Sequence, residues 1–342
     1  MKQIKLHLQM LAAAALLLLT GCTNRAEDTV SSRDVFAMDT YMNLKASGAA
    51  ADSALNAAVE RITELETMFS VTDESSVIWA VNHAEGKPVP IPAEVSDVLA
   101  AAQQTARESD NALAVSIYPV LRAWGFTTDS FQIPGETEIA SLLTHVDDSR
   151  IRTDADTLTL PDDMEIDLGA LVKGYTGDAV MEVMREHGVT SAIVSLGGNV
   201  QALGTKADGS AWSVGVTNPF DTAENLGIVR IKDCAVITSG NYERFFTDDA
   251  GNRYWHIIDP ADGHPADNGA VSVTVIGKSG LRCDALSTAL FVEGPERAVS
   301  HWKSSGDFEM ILVTDDARLI VTEGIAKDFE NLSPMPVEVV TK

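Results

Sequence analysis

Residues 192–200 read Ala192-Ile193-Val194-Ser195-Leu196-Gly197-Gly198-Asn199-Val200, an apolar run of strand length that breaks at a Gly-Gly-Asn turn. The same pattern repeats downstream. Trp212–Val216, Ile228–Ile231, Ala235–Thr238, Tyr254–Ile258, Val271–Ile276, Met310–Val313 and Leu319–Val321 are short strand-like segments, most of them divided by Gly, Asn, Asp or Pro clusters, as hairpins are. Upstream the period changes. Leu55, Ala58, Val59, Ile62, Leu65 and Phe69 recur at helical spacing, as do Val95, Val98, Leu99, Ala102 and Ala106. A third helix is expected from about Gly174 to His187, with Gly188 suited to the left-handed position that ends it. Helices, then mixed elements, then meander-like strands predict an α+β fold. Its sheet is largely antiparallel with flanking helices, in one large domain or two intimately joined lobes. No GxGxxG supports a dinucleotide fold.

The 342-residue chain carries 25 Lys+Arg against 50 Asp+Glu, a formal charge of −25, and 45% of it is apolar. This is globular composition. With no basic run to exchange for counterions, nucleic acid is excluded as a partner. Three cysteines with no Cys-x-x-Cys and no paired Cys/His spacing exclude a disulfide framework and a zinc site, and Cys234 and Cys283 read as buried apolar thiols.

The N-terminus carries an address. Lys2 and Lys5 precede an apolar run from Leu11 to Leu19, then Leu19-Thr20-Gly21-Cys22. The run is too short to span a bilayer, and the four residues resemble the lipobox of bacterial lipoproteins. That reading makes residues 1–21 a signal peptide, Cys22 an acylated N-terminus and residues 22–33 a tether, followed by a folded domain over 34–332 and a tail over 333–342. The domain is then extracytoplasmic and lipid-anchored to the cell membrane, on the periplasmic face in a diderm cell.

Four clusters could carry chemistry, and each has a simpler reading when taken singly. Phe36-Ala37-Met38-Asp39-Thr40 reads as an apolar stem with a polar tip. Ile166-Asp167-Leu168-Gly169-Ala170-Leu171-Val172-Lys173-Gly174-Tyr175 reads as a strand that ends at a carboxylate and opens a helix. The free N–H groups of that helix, with a lysine beside them, form a seat for phosphate, although an ordinary strand-to-helix turn looks the same. Gly197-Gly198-Asn199 gives close backbone approach or only a tight turn. The fourth cluster is Thr238-Ser239-Gly240-Asn241-Tyr242-Glu243-Arg244, then His256-Ile257-Ile258-Asp259-Pro260, then Asp284 and Thr288. Spaced four apart on a helix, Asp284 and Thr288 face the same way and offer hard oxygens for Mg2+, or Asp284 merely caps the helix. His256 is expected on a strand face with Tyr254 and Ile258.

Read in this order, from Phe36 to about Val321, the clusters resemble the ApbE-type flavin transferases, the bacterial FAD:protein FMN transferase family. Phe69-Ser70 to Asn82, Trp124-Gly125-Phe126 and the Ser287-Thr288-Ala289 end of the last motif add to the resemblance. It implies an enzyme that takes FAD as substrate with Mg2+ as cofactor, cleaves the pyrophosphate, joins FMN by a phosphoester to a threonine or serine hydroxyl of a partner protein, and releases AMP. The implied acceptors are flavin-bearing subunits of membrane redox complexes. Carried over by matching position, Asp284, Thr288, the Ala170 carbonyl and Ser287 would hold Mg2+. Met38, Thr72, Ala123, Trp124, Gly125, Asp167, Lys173 and Ile258 would line the FAD site, with Met38 and Trp124 as walls for the flavin. His256 would position or deprotonate the acceptor hydroxyl, and Asp284 is the second catalytic candidate. Val71-Thr72 stands where some relatives place a tyrosine, which implies looser retention of FAD. The same residues would also serve a Mg2+-dependent FAD pyrophosphatase, or a flavin-binding lipoprotein without catalysis.

Overall fold

The computed structural model describes residues 30–128, 130–154 and 156–342; the signal peptide, Cys22 and most of the tether lie outside the described residues. The chain enters through a hairpin. β1 (Val30–Ala37) and β2 (Thr40–Ser47) pair antiparallel along their whole length. Val30–Arg33, expected in the tether, therefore belong to the fold. Arg33 turns inward and bonds Asn56 at 3.0 Å and Asp52 at 3.2 Å, so a polar residue does here what an apolar one does in a legible strand.

Four long helices follow at intervals: α1 (Ala51–Phe69), α2 (Ala93–Glu108), α3 (Gly169–Glu186) and α4 (Gly280–Ser304). Helix α3 begins five residues before the expected start at Gly174, so Lys173 lies within it, and Ile166-Asp167 upstream is irregular rather than a strand. Its end is as expected, with Gly188 at φ 76° after the His187 cap. Helix α4 is broken at Gly294 (φ 76°, ψ 172°), just before Pro295.

The short strands β3 (Val89–Pro90), β4 (Arg152–Asp154) and β5 (Thr157–Thr159) form a small sheet beside α2. Then come β6 (Ala192–Leu196), β7 (Asn199–Leu203), β8 (Trp212–Asn218), β9 (Asp221–Ile231), β10 (Ala235–Gly240), β11 (Phe245–Thr247) and β12 (Arg253–Trp255). The last are β13 (Ala270–Gly277), β14 (Phe308–Thr314), β15 (Leu319–Thr322), β16 (Phe329–Asn331) and β17 (Val337–Val340).

Nine of these make one sheet in the order β1-β2-β6-β7-β10-β13-β14-β15-β17. Its neighbours are antiparallel except for the β15–β17 pair. The expected α+β class with a largely antiparallel sheet is what the chain adopts. Because strands from both ends of the chain share this sheet, it is one domain. The expected C-terminal tail supplies the edge strand β17, tied in parallel register to β15. The expected strand Tyr254–Ile258 stops at Trp255, and His256 lies on the irregular segment after it.

One face of the sheet packs on helices. Met42 and Leu44 of β2 meet Leu55 and Ile62 of α1 and Met184 of α3, while Val273 and Val275 of β13 meet Leu286 and Leu290 of α4. The other face is covered by the three-stranded β16-β9-β8 sheet, through Val214, Leu226, Val236 and Ile311 among others. Cys283 is buried and Cys234 half-buried, both as free thiols. No helix among the described residues is long and apolar enough to cross a membrane.

Candidate active site

Helices α3 and α4 cross where glycine faces glycine. A Cβ on Gly174 would lie 2.2 Å from the Gly280 carbonyl oxygen and 2.6 Å from the Asp284 Cβ. The crossing is pinned by side chains of the two helices and of a neighbouring strand. Asp178 of α3 accepts Gly280 N–H at 2.7 Å, Leu281 N–H at 3.0 Å and the Ser279 hydroxyl at 3.1 Å, while Ser279 caps α4 through Arg282 N–H. The free amides at the start of α4 are thus satisfied without Asp284, and the capping role considered for Asp284 is filled by Ser279 and Asp178. Gln201 of β7 completes the frame, its Nε2 donating to the Gly174 carbonyl at 3.0 Å.

Gly174→Ala is expected to destabilise the protein by about 3 kcal/mol, the upper end for a group forced into a packed core. In an exposed helix the same change would stabilise. A urea midpoint equal to that of the wild type would show that the two helices can separate.

Asp284 sits at this crossing and is 5% exposed. Gly174 N–H donates to its Oδ2 at 2.7 Å. In a helix that N–H points to the carbonyl four residues back, Ala170, so the Ala170 carbonyl and the Asp284 carboxylate converge on one donor. Around them are hydroxyls: Ser239 Oγ is 2.8 Å from Ser287 Oγ and 3.4 Å from Thr288 Oγ1. Ser287 is fully buried and donates to the Asp284 carbonyl at 2.8 Å, whereas Thr288 is half-buried. Thr288 is therefore the hydroxyl on the accessible side, and Ser239 links it to the buried Ser287.

This donor set is all oxygen and contains one carboxylate. It fits Mg2+, which favours hard oxygens and takes part of its shell from water and substrate phosphate. It does not fit zinc. Among the described residues no group of three or more His, Cys, Asp or Glu forms a closed metal cage.

Charge is concentrated around Lys173, in the second turn of α3. Burial pushes the Asp284 carboxyl above its usual range, and Lys173 and the Gly174 N–H pull it back. Burial likewise raises Asp167, opposed by the Gly169 N–H at 2.7 Å and then by Lys173 and Arg244. Glu243 is pushed up to about 7 by burial, with Lys173 opposing and Asp284 adding to the shift. His256 moves the other way, down to about 4, because burial and the Lys173 charge both disfavour the imidazolium. Its Nδ1 lies 3.2 Å from the Arg244 carbonyl. A carbonyl oxygen only accepts, so Nδ1 carries the hydrogen and Nε2 keeps a lone pair.

Two hairpin tips stand side by side at the ends of β2 and β6. Met38 and Asp39 both have positive φ, 50° and 57°, in a two-residue turn that non-glycine residues adopt only under strain. Glu66 Oε1 accepts Met38 N–H at 2.6 Å, and the Thr176 hydroxyl reaches the Met38 sulfur at 3.8 Å. A Cβ on Gly197 would lie 2.3 Å from Thr40 Oγ1. Glycine is required there by close approach as well as by its φ of 61°. Thr72 is exposed in a turn held by Ser70 Oγ, which accepts Thr72 N–H at 3.2 Å. That turn follows Phe69, whose ring meets Tyr175 of α3 edge-on at 6.0 Å.

The structure thus gathers Asp167, Ala170, Lys173, His256, Asp284, Ser287 and Thr288, with Met38 alongside. It does not give the flavin the wall expected from Trp124. That indole is 1% exposed, packs with Phe126 and Ile258, and donates to the Gly263 carbonyl at 2.8 Å. Ile258 is 6% exposed in the same cluster. Ala123 is buried, and Gly125 is committed to a turn in which a Cβ would lie 2.1 Å from the Ser130 carbonyl oxygen. An aromatic residue beside a site is equally at home in a core, and here the core wins.

Glu243, Ser239, Asn199, Gln201 and Asp178 were not singled out by the sequence reading, although the first three stand inside quoted motifs. Two amides spaced i, i+2 on an otherwise apolar strand were the available signal for Asn199 and Gln201.

Residues 38–312 match the family model described as the ApbE family. The chain is 33% identical over 277 residues to the FAD:protein FMN transferase of Klebsiella pneumoniae (strain 342), covering 79% of this chain and 85% of that one. It is 30% identical over 327 residues to the FAD:protein FMN transferase of Treponema pallidum (strain Nichols), covering 89% and 90%. Among solved structures, the ApbE protein of Thermotoga maritima superposes with a TM-score of 0.82 at 29% identity, over 88% of this chain and 99% of that one.

Proposed function

The chain belongs to the ApbE family, and from that premise we propose that it transfers FMN from FAD to a threonine or serine hydroxyl of a partner protein and releases AMP. The observation that carries this reading is the junction of the buried Asp284 carboxylate with the Gly174 N–H, beside Lys173 and the Ser239, Ser287 and Thr288 hydroxyls. Mg2+ held by Asp284, Thr288 and the Ala170 carbonyl would supply neutralisation of the phosphate oxygens. Lys173 takes up charge that one divalent ion leaves, whereas the first amides of α3 are committed to the Asp167 carboxylate and the Leu168 carbonyl.

In the transfer step the acceptor oxygen forms a bond to the FMN phosphorus. The bond from that phosphorus to the bridging oxygen breaks, and AMP leaves with that oxygen. The hydroxyl proton passes to His256 Nε2, whose lone pair is kept available by the Nδ1–H bond to Arg244. His256 is neutral over the whole physiological range because its pKa is held down at about 4.

The Leu19–Cys22 lipobox supports export and attachment through acylated Cys22, which would put the reaction outside the cytoplasm. Flavin-bearing subunits of membrane redox complexes fit such a location as acceptors.

The test is to incubate the protein with FAD, Mg2+ and a candidate acceptor, view a denaturing gel under ultraviolet light, and assay AMP. A fluorescent acceptor band with AMP supports transfer. AMP without a band means water is the nucleophile, and neither product removes the enzyme reading. At the rim of the site, Thr72→Tyr should slow FAD release by adding an aromatic face to the turn behind Phe69. An unchanged dissociation rate in stopped-flow would remove Thr72 from the FAD site.

A further inference from the structure

Asn199 is the first residue of β7, directly after the Gly197-Gly198 turn, and Gln201 is two residues on. Their side chains therefore leave the same face of the strand, toward the α3–α4 crossing. Gln201 commits its amide to the Gly174 carbonyl. Asn199 does not: it is 3% exposed, and its Nδ2 approaches the Asp284 carboxylate without completing a hydrogen bond of ordinary geometry to any described residue. Its amide lies by the Asp284 carboxylate and favours the charged form of that group.

A buried N–H donor left unpaired is rare and unfavourable, so a fold that keeps one does so for a ligand or a catalytic group. Gly174 N–H occupies Asp284 Oδ2. The other carboxylate oxygen has two lone pairs, enough for one cation and one N–H donor.

We propose that Asn199 is a positioning residue for Asp284, its amide donating to the oxygen that Gly174 leaves free and so fixing the carboxylate plane in which a divalent cation is received. This rests on the reading of Asp284 as the cation ligand. It makes the Gly-Gly-Asn turn more than a reversal of direction. The two glycines let β7 start close against Thr40, and the asparagine that follows is delivered to the crossing of two helices whose residues lie far away in sequence. Gln201 holds the frame, and Asn199 aims one side chain within it.

The test uses FAD anisotropy, titrated with Mg2+ in the absence of acceptor, and thermal melting without metal. In Asn199→Leu the orphaned donor is replaced by an apolar group of nearly equal size. The melting temperature without metal is expected to stay close to that of the wild type, because the lost donor completes no full hydrogen bond there. The Mg2+ concentration that half-tightens FAD should rise at least fivefold. In an Asp284→Asn background, where FAD binding should no longer respond to Mg2+, the same leucine should change neither FAD affinity nor melting temperature, because Asn199 acts through Asp284.

A shift of less than fivefold would overturn the proposal. So would a leucine variant that melts well below the wild type, since the amide would then be serving the fold. Failure of the underlying reading looks different: the wild type would show no Mg2+ dependence of FAD binding, or Asp284→Asn would retain it.

Discussion

Asp284→Ala is expected to lower AMP release from FAD by a factor on the order of 10³, with the protein still folded. The carboxylate is at the centre of the oxygen cluster, accepting Gly174 N–H at 2.7 Å, and on the proposed reading removing it would leave the phosphate oxygens without their principal cation seat. Folding should survive, because α4 is capped by Ser279 and remains tied to α3 by Asp178 when the Asp284 contact is lost. The released Gly174 N–H also has the Ala170 carbonyl to return to. Asp284→Asn keeps the shape and loses the charge, so it should match the alanine variant in rate and exceed it in melting temperature. AMP release at wild-type rate in either variant would take Asp284 out of the mechanism.

His256→Ala is expected to lose transfer by about 10²- to 10⁴-fold, the usual range for a proton-accepting side chain, while FAD still binds. In the proposed mechanism the imidazole takes the acceptor's proton and does not hold the pyrophosphate, so equilibrium binding of FAD should change little. A transfer rate within threefold of the wild type would assign the proton to another group, with Glu243 next in reach of Lys173 and Asp284.

A pH signature accompanies this. The folded-state pKa of His256 is about 4, below the ordinary 6.5, so between those two values the unfolded chain binds a proton that the folded one refuses. Stability contributed by the neutral ring is complete above pH 6.5 and is lost as pH falls toward 4. His256→Ala should flatten the fall in melting temperature across that window. An identical slope in both proteins would mean that the ring is more hydrated than its burial implies.

The strands that were legible in sequence are those whose two faces differ. β6 alternates buried and half-buried positions from Ala192 to Leu196, and Gly-Gly closes it, so its bounds can be read directly. β1 and β17 could not be read, because both are sheet edges whose side chains are mostly exposed or half-buried. Helix α3 was placed late because Gly169 and Gly174 weaken its helical signal, although Gly174 is kept by the contact with α4.

At the site, the sequence yielded the chemical types of Asp284, Thr288, Lys173 and His256, but not the residues that hold them. Asp178, Gln201 and Asn199 act across sequence separations that no local pattern encodes. Trp124 and Ile258 show the converse: motif position suggested a ligand, whereas packing spent both side chains on the core.

β1 also sets a distance. Val30 and the Met38 turn lie at opposite ends of an eight-residue strand, about 26 Å apart at strand rise. The point at which anything ahead of Val30 joins the domain, whether a membrane anchor, a bead or a fusion partner, is thus set one strand length from the Met38 turn by a strand hydrogen-bonded to β2 throughout. Lengthening the segment before Val30 would widen the radius over which the enzyme searches for acceptors and leave turnover on a captured one unchanged. Shortening it would restrict which acceptors are reached.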